Sequence, residues 1–384
     1  MNPVLLEPGA PSSPPGGWGE RWRSWRDRLL ASERFRRAAA SVWFTRPIAR
    51  RRARALFDVM AGFVYSQVLL ACVRLKVFDV LARGPQTLEA LAPQLGLTPQ
   101  AAQRLLAAAV SLQLAERRGP LHFGLGPLGA TMVGNSAIET MVEHHAALYA
   151  DLADPVALLR GGPAQGALAQ CFAYATSDMP GELSSQTVRD YSAVMAASQP
   201  LVADEVLDAY PVQRHRHLLD VGGGEGVFAA AVARRAPSLR LTLFDLPAVA
   251  AAAKARLASQ GLSDRVTTQG GDFFRDALPG GADLVTLVRV IHDHTDEGAA
   301  AILRAVHAAL PSGGTLLLAE QMADTPGAQP MGDAYFGFYL LAMGRGRPRS
   351  AGRLTEMLLA AGFRSVRQVR TRLPLQVQVL VAQA

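Results

Sequence analysis

Apolar and polar positions along this chain change their period three times. Trp18, Trp22, Trp25 and Leu29 recur at four- and three-residue steps with Arg21, Arg23, Arg26 and Arg28 between them, which is the spacing of an amphipathic helix. Further on, the pattern predicts a helix over Leu88–Leu95, a turn at Gly96-Leu97-Thr98-Pro99, and a second helix, Pro99–Leu112, capped by Thr98. Ala115–Gly124, with Arg117-Arg118-Gly119-Pro120 at its tip, reads as a hairpin. Helix, turn, helix, hairpin is the order of a winged helix. Ile138–Arg160 and Leu183–Tyr210 read as helical connectors.

From Arg216 the period shortens. His217–Val221 is a short apolar strand, Gly222-Gly223-Gly224-Glu225-Gly226 a tight turn and Val227–Arg235 a helix. Strands follow at Leu239–Asp245, Val266–Gln269, Asp283–Val290 and Thr315–Glu320, and a closing hairpin at Arg364–Arg370 and Leu375–Ala382. The last alternates Leu375, Val377, Val379 and Val381 with Gln376, Gln378 and Leu380. Strands alternating with helices predict an α/β, Rossmann-like domain. The expected division is an arm over 1–54, a winged-helix domain over 55–135, a helical connector and pocket segment over 136–210, and a nucleotide-binding domain over 211–384.

Composition changes this picture in one place. The chain has 384 residues and a formal charge of +7. Residues 1–54 hold twelve Arg and four acids, a net of +8, so the rest sums to −1. All four Trp (Trp18, Trp22, Trp25, Trp43) lie in the same arm, whose first 17 residues are Pro/Gly-rich and expected to be disordered. Two occupants fit such an arm: a membrane surface, contacted through residues 18–54, and a partner subunit. Nucleic acid does not fit, because the second helix of the winged pattern offers only Gln100, Gln103 and Arg104 to read base edges. Cys72 and Cys171 are the only cysteines, so neither a disulfide framework nor a Cys-based zinc site is expected. Val59–Val73 is uncharged for fifteen residues until Arg74, too short to span a bilayer, and is expected to form a buried helix. With no basic region, apolar run and cleavage site in order at the start, the expected compartment is the cytoplasm.

The chemistry begins at the glycine turn. A strand, a glycine turn and a helix bring backbone close to a nucleotide, and Asp245, at the end of the next strand, suits a ribose diol. Gly224-x-Gly226-x-x-Ala229 also satisfies a dinucleotide fingerprint, so the loop alone leaves the nucleotide open. Asp272 beside Phe273 suits the amine and face of an adenine. His292-x-His294-x-Asp296 has the spacing of a metallohydrolase set, but downstream only His307 remains, and no metal is expected. His144 and His145 are helical neighbours pointing about 100° apart and cannot easily share an ion.

Together, Asp220-Val221-Gly222-Gly223-Gly224-x-Gly226, Phe244-Asp245-Leu246-Pro247, Gly271-Asp272-Phe273-Phe274 and His292-Asp293-x-x-Asp296-Glu297 resemble the class I S-adenosylmethionine-dependent O-methyltransferases of the caffeate/acetylserotonin type over about residues 56–384. The resemblance implies a seven-stranded methyltransferase domain, a winged-helix dimerisation domain and a homodimer acting on a hydroxyl of a hydrophobic small molecule. It implies S-adenosyl-L-methionine as cofactor, held by Asp220, Gly222, Gly224, Gly226, Asp245, Asp272, Phe273 and Arg289. It also implies His292 as general base with Glu320 orienting it. Two positions depart from the family: His294 stands for a Trp, and Pro348 for a second Glu.

Phe63-Val64-Tyr65-Ser66-Gln67, Ala147–Pro155 and Met343–Ser350 resemble, more narrowly, carotenoid O-methyltransferases of phototrophic bacteria, which methylate the tertiary 1-hydroxyl of acyclic carotenoids such as hydroxyneurosporene. Met195, Met331, Tyr335, Phe338 and Met343 would line the pocket, or equally form ordinary core. The alternatives are a soluble phenol or polyketide as substrate, and a methyltransferase-like transcription regulator.

Overall fold

A computed structural model describes residues 18–161, 166–171 and 185–384, with the side chains of 171, 185–195 and 197 outside the description. The segment 1–17, read above as disordered, lies outside the described residues. Two compact units divide the chain, Met1–Pro127 and Leu128–Ala384.

The first unit opens with α1 (Trp18–Ala31), α2 (Glu33–Ser41) and the long α3 (Arg46–Arg74), where Pro47 starts the helix. The winged pattern follows as read: α4 (Val77–Ala82), β1 (Gln86–Thr87), α5 (Leu88–Gln94), α6 (Pro99–Ser111), β2 (Ala115–Arg117) and β3 (His122–Leu125). Thr98 Oγ1 accepts the Ala101 amide at 3.2 Å, which fixes the start of α6. β3 pairs antiparallel with both β1 and β2. Leu91, Leu106 and Phe123 are buried together with Val77 and Phe78.

The apolar run in α3 departs from expectation. Of the whole helix only Leu70, Cys72 and Val73 are buried, whereas Leu56 is 73% and Val59 81% exposed, and Phe57, Met60 and Phe63 are exposed beside them. By length and composition α3 is also able to cross a membrane. The charge-free count missed this because Asp58 ends the uncharged run, whereas the helix continues through it and a single charge leaves the stretch apolar enough. Apolar character requires cover, and within this unit α3 has little.

In the second unit, α7 (Ser136–Asp151) and α8 (Ser185–Ala209) precede a seven-stranded sheet. Its strands are β4 (His217–Val221), β5 (Arg240–Asp245), β6 (Val266–Gly270), β7 (Leu284–Val288), β8 (Thr315–Glu320), β9 (Ser365–Val369) and β10 (Gln378–Gln383), in the order β6-β5-β4-β7-β8-β10-β9. The first five run parallel, and β10 is antiparallel to both neighbours. Helices α9 (Val227–Arg235) and α10 (Pro247–Ser259) follow β4 and β5. Helices α11 (Asp296–Ala309) and α13 (Ala351–Ala360) follow β7 and a short α12 (Gly337–Met343).

Successive strand residues feed opposite cores, as a two-per-turn pleat requires. Leu218, Leu241, Leu317, Val379 and Val381 pack with Val206 of α8 and Phe228 of α9. Leu219, Val285, Leu316, Leu318 and Leu380 pack with Ile302 and Leu303 of α11 and Leu358 of α13. The hairpin read at the C-terminus is present, with β9 antiparallel to β10; β10 begins at Gln378, three residues later than expected, and both of its faces are buried.

Candidate active site

The strand ends of the second unit carry the candidate residues read from the sequence. β4 delivers Asp220, whose Oδ1 accepts the Thr286 hydroxyl at 2.7 Å, while its buried Oδ2 has no partner among the described residues. Burial pushes the Asp220 carboxyl up to about 7. Gly222, Gly224 and Gly226 all adopt positive φ (69°, 56° and 78°), and a Cβ at Gly222 would lie 2.8 Å from Val290. At Gly224 a Cβ would meet no atom within 4 Å, so the loop there offers open backbone. Asp245, at the end of β5, accepts the Gly224 amide on Oδ2 at 2.8 Å and its neighbour's amide, Leu246, on Oδ1 at 2.7 Å. Asp272 Oδ1 accepts the Phe274 amide at 2.9 Å, and Phe273 meets His294 edge-on with ring centroids 5.5 Å apart. An orphaned buried carboxylate oxygen, a glycine cradle and an aromatic wall suit a nucleoside-bearing cofactor with a positively charged centre.

β7 ends two residues earlier than the expected Val290, because Arg289 takes a left-handed conformation (φ 60°) and turns the chain. Arg289 Nη1 donates to Ser198 Oγ at 2.8 Å and Gln199 Oε1 at 3.3 Å. A short 3₁₀ turn, Ile291–Asp293, follows and carries His292, 6% exposed. Each ring nitrogen faces a carboxylate: Nε2 lies 3.2 Å from Asp293 Oδ1, and Nδ1 3.8 Å from Glu320 Oε2. Burial alone would push the imidazole pKa down, but Asp293 and Glu320 more than offset it and hold it above the usual histidine value. His294, expected where the family has Trp, is kept neutral by burial, with its pKa down to about 4.

Glu320, 1% exposed, does more for the backbone than for the ring. Its Oε1 accepts the amides of Val290, Ile291 and His292 at 3.2, 2.5 and 3.2 Å. Asp293, by contrast, holds the ring and was not singled out from the sequence, although it stands within the quoted His-Asp motif.

The pocket residues read from sequence are not equivalent. Tyr335 lies in a π-helical turn, Pro330–Phe336, and its hydroxyl hydrogen-bonds His145 Nε2 at 2.6 Å; the Phe336 ring beside it lies tilted at 39° to His292, with centroids 6.2 Å apart. Tyr339 pairs with His144 at 2.9 Å, so the two adjacent histidines serve two tyrosines. Met331 and Phe338 are half-buried, whereas Met343 is fully packed with Leu148, Leu168 and Leu340. The Met195 side chain lies outside the described residues. No cluster of His, Cys, Asp or Glu able to hold a metal occurs among the described residues.

Residues 149–364 match the O-methyltransferase domain family, and residues 57–135 the O-methyltransferase dimerisation domain. The chain belongs to the O-methyltransferase family. It is 45% identical over 342 residues to the demethylspheroidene O-methyltransferase of Cereibacter sphaeroides, covering 88% of this chain and 89% of that one. Against the Rhodobacter capsulatus enzyme of the same name it is 39% identical over 380 residues, covering 98% and 93%. Human N-acetylserotonin methyltransferase, solved in complex with S-adenosylmethionine, superposes with a TM-score of 0.71 at 26% identity, covering 86% of this chain and 97% of that one. The seven-stranded fold and the family expected from the four motifs are thus shown, and with them an O-methyltransferase that uses S-adenosylmethionine.

Proposed function

We propose that this O-methyltransferase methylates the tertiary 1-hydroxyl of an acyclic carotenoid. The observation that carries the substrate is the 45% and 39% identity to two demethylspheroidene O-methyltransferases over nearly the full chain. Asp220, Gly222, Gly224, Gly226, Asp245, Asp272, Phe273 and Arg289 form the cofactor site in this reading. Bound there, S-adenosylmethionine supplies a methyl group on a sulfonium, an electrophile that needs no metal-bound activation of its own.

The protein's task is then the proton. A tertiary alcohol does not ionise near neutral pH, so its proton must leave as the oxygen bonds to carbon. His292, neutral and within a turn fixed by Glu320, accepts it, and Asp293 and Glu320 stabilise the imidazolium that results. A base with a raised pKa holds that proton more firmly, which favours transfer from so weak an acid. Tyr335 and Phe336 form apolar lining that orients the hydroxyl toward His292.

The dimerisation domain is shared by two copies in this reading, with α3 covered by its partner, and the arm rests on an anionic membrane, where a carotenoid dissolves. Trp18, 91% exposed, and Trp22 and Trp25 stand among twelve Arg over 18–54.

Incubation of the purified protein with methyl-labelled S-adenosylmethionine and 1-hydroxyneurosporene in liposomes tests the substrate. Label should enter the carotenoid fraction as a methyl ether. Label entering a soluble phenol set instead, with none in the carotenoid, sinks the substrate and leaves the family standing.

A further inference from the structure

The catalytic turn is held from two sides by opposite charges. On one side the Glu320 carboxylate takes the amides of Val290, Ile291 and His292. On the other, the Arg349 guanidinium donates from Nη1 to the Ile291 carbonyl at 3.0 Å and from Nη2 to the His294 carbonyl at 2.7 Å. The intervening His292 carbonyl accepts the Arg347 amide at 2.9 Å. Arg349 is 3% exposed. Its Nε reaches Asp296 Oδ1 at 2.9 Å, and Asp296, the first residue of α11, also receives the side chains of Arg347 and Arg353. The segment that brings these arginines touches the turn directly: a Cβ at Gly346 (φ 84°) would lie 2.1 Å from the His292 carbonyl oxygen.

We propose that Arg349, anchored by Asp296, is a positioning residue that aims His292 at the substrate hydroxyl. The proposal rests on the reading of His292 as the base. A planar guanidinium is the side chain suited to this place, because its fork reaches two carbonyls and a carboxylate at once, which a lysine cannot do. The carbonyls it serves belong to the residues either side of the His-Asp pair, so the position of the imidazole follows the position of the guanidinium. Burial raises the Asp296 carboxyl, but hydrogen bonds from Arg347 and Arg349 overcome this and lower it to about 2. The anchor therefore stays charged throughout the working range, and the clamp holds at any pH where His292 titrates. Misplacing a reacting group by about 1 Å costs on the order of 10²-fold in rate. The departure at Pro348 acquires a sense here: the stretch that lacks the family's second Glu carries instead the two arginines that flank Pro348.

The test compares Arg349→Met, Arg349→Lys, Asp296→Asn and His292→Gln, each rate expressed per S-adenosylhomocysteine-binding site so that misfolded protein does not count. Arg349→Met should lower kcat by roughly 10²-fold, with KM for S-adenosylmethionine within about 2-fold and the acid limb of the pH profile displaced. Arg349→Lys should recover part of the rate, and Asp296→Asn should fall between Lys and the parent. In the His292→Gln background, Arg349→Met should add no further loss. An unchanged kcat per site in Arg349→Met overturns the proposal, as does a loss that persists in full without His292. If Arg349→Met yields no binding sites, Arg349→Lys decides alone: parental kcat with parental pH profile overturns the clamp. An active His292→Gln overturns the base reading itself, an outcome distinct from all of these.

Discussion

The two units of this chain set aside the usual rules of burial in opposite directions. The first leaves apolar side chains in water: Leu56, Phe57, Val59, Met60 and Phe63 stand exposed along α3, and three Trp along α1. The second takes ionisable groups out of water: Asp220 and Glu320 at strand ends, His292 in the turn after β7 and Arg349 in the stretch before α13 are all buried. Each arrangement costs folding stability, the first by forgoing about 1.5–3 kcal/mol per uncovered large side chain, the second through desolvation only partly offset by pairing. Such costs concentrate where function requires them. The surplus outside equips a unit for a partner or a surface, and the surplus inside equips a unit for chemistry.

The comparison breaks most sharply at Glu320. Glu320→Ala strips the turn's three amides of their acceptor and should destabilise the catalytic unit by about 3–5 kcal/mol, read by thermal melting, with turnover lost. On the outer surface the reverse operation is informative. Val59→Glu with Phe63→Glu should convert a dimer into a monomer by sedimentation while leaving the protein folded; a dimer of unchanged mass would mean that α3 is not the joint. A smaller effect concerns Asp293. With His292 as the proposed base, activity needs its neutral form and should be lost as pH falls through the histidine's raised pKa, earlier than for a free imidazole. Asp293→Asn removes one of the carboxylates that raise it, and the acid limb of kcat should move to lower pH. The smallest expected change is at the arm. Deleting residues 1–45 should cut sedimentation with anionic liposomes several-fold and leave the dimer mass unaltered; the opposite pattern assigns the arm to the partner subunit.

Much of the catalytic unit was legible because its signals are local. A short apolar run followed by glycines is a strand meeting a loop, and β4, β8 and α9 fall where the pattern puts them. One element was misread and a second was read without its surroundings, for a shared reason. Neither the apolar run in α3 nor the alternation near β10 says what will lie against it: α3 lacks cover within its own unit, and β10 has cover on both faces. The site divides similarly. His292 and the glycine turn announce themselves within a few residues, whereas Arg349 meets the Ile291 carbonyl across 58 positions, a juxtaposition that only the folded sheet creates. Asp293 was legible in principle, since a carboxylate next to a buried histidine is a short-range signal.

The placement of β10 has a consequence for how the enzyme comes into being. The strand latest in sequence does not finish an edge; it inserts between β8 and β9, with Gln378 directly opposite Glu320. During synthesis, β8 therefore emerges with one side unpaired and waits for a partner made about sixty residues later, an exposed edge of the kind that invites wrong pairing. The strand that carries the carboxylate under this turn is thus paired on both sides only after β10 has been made. A growing chain can own every residue of the cofactor loop and still be no catalyst.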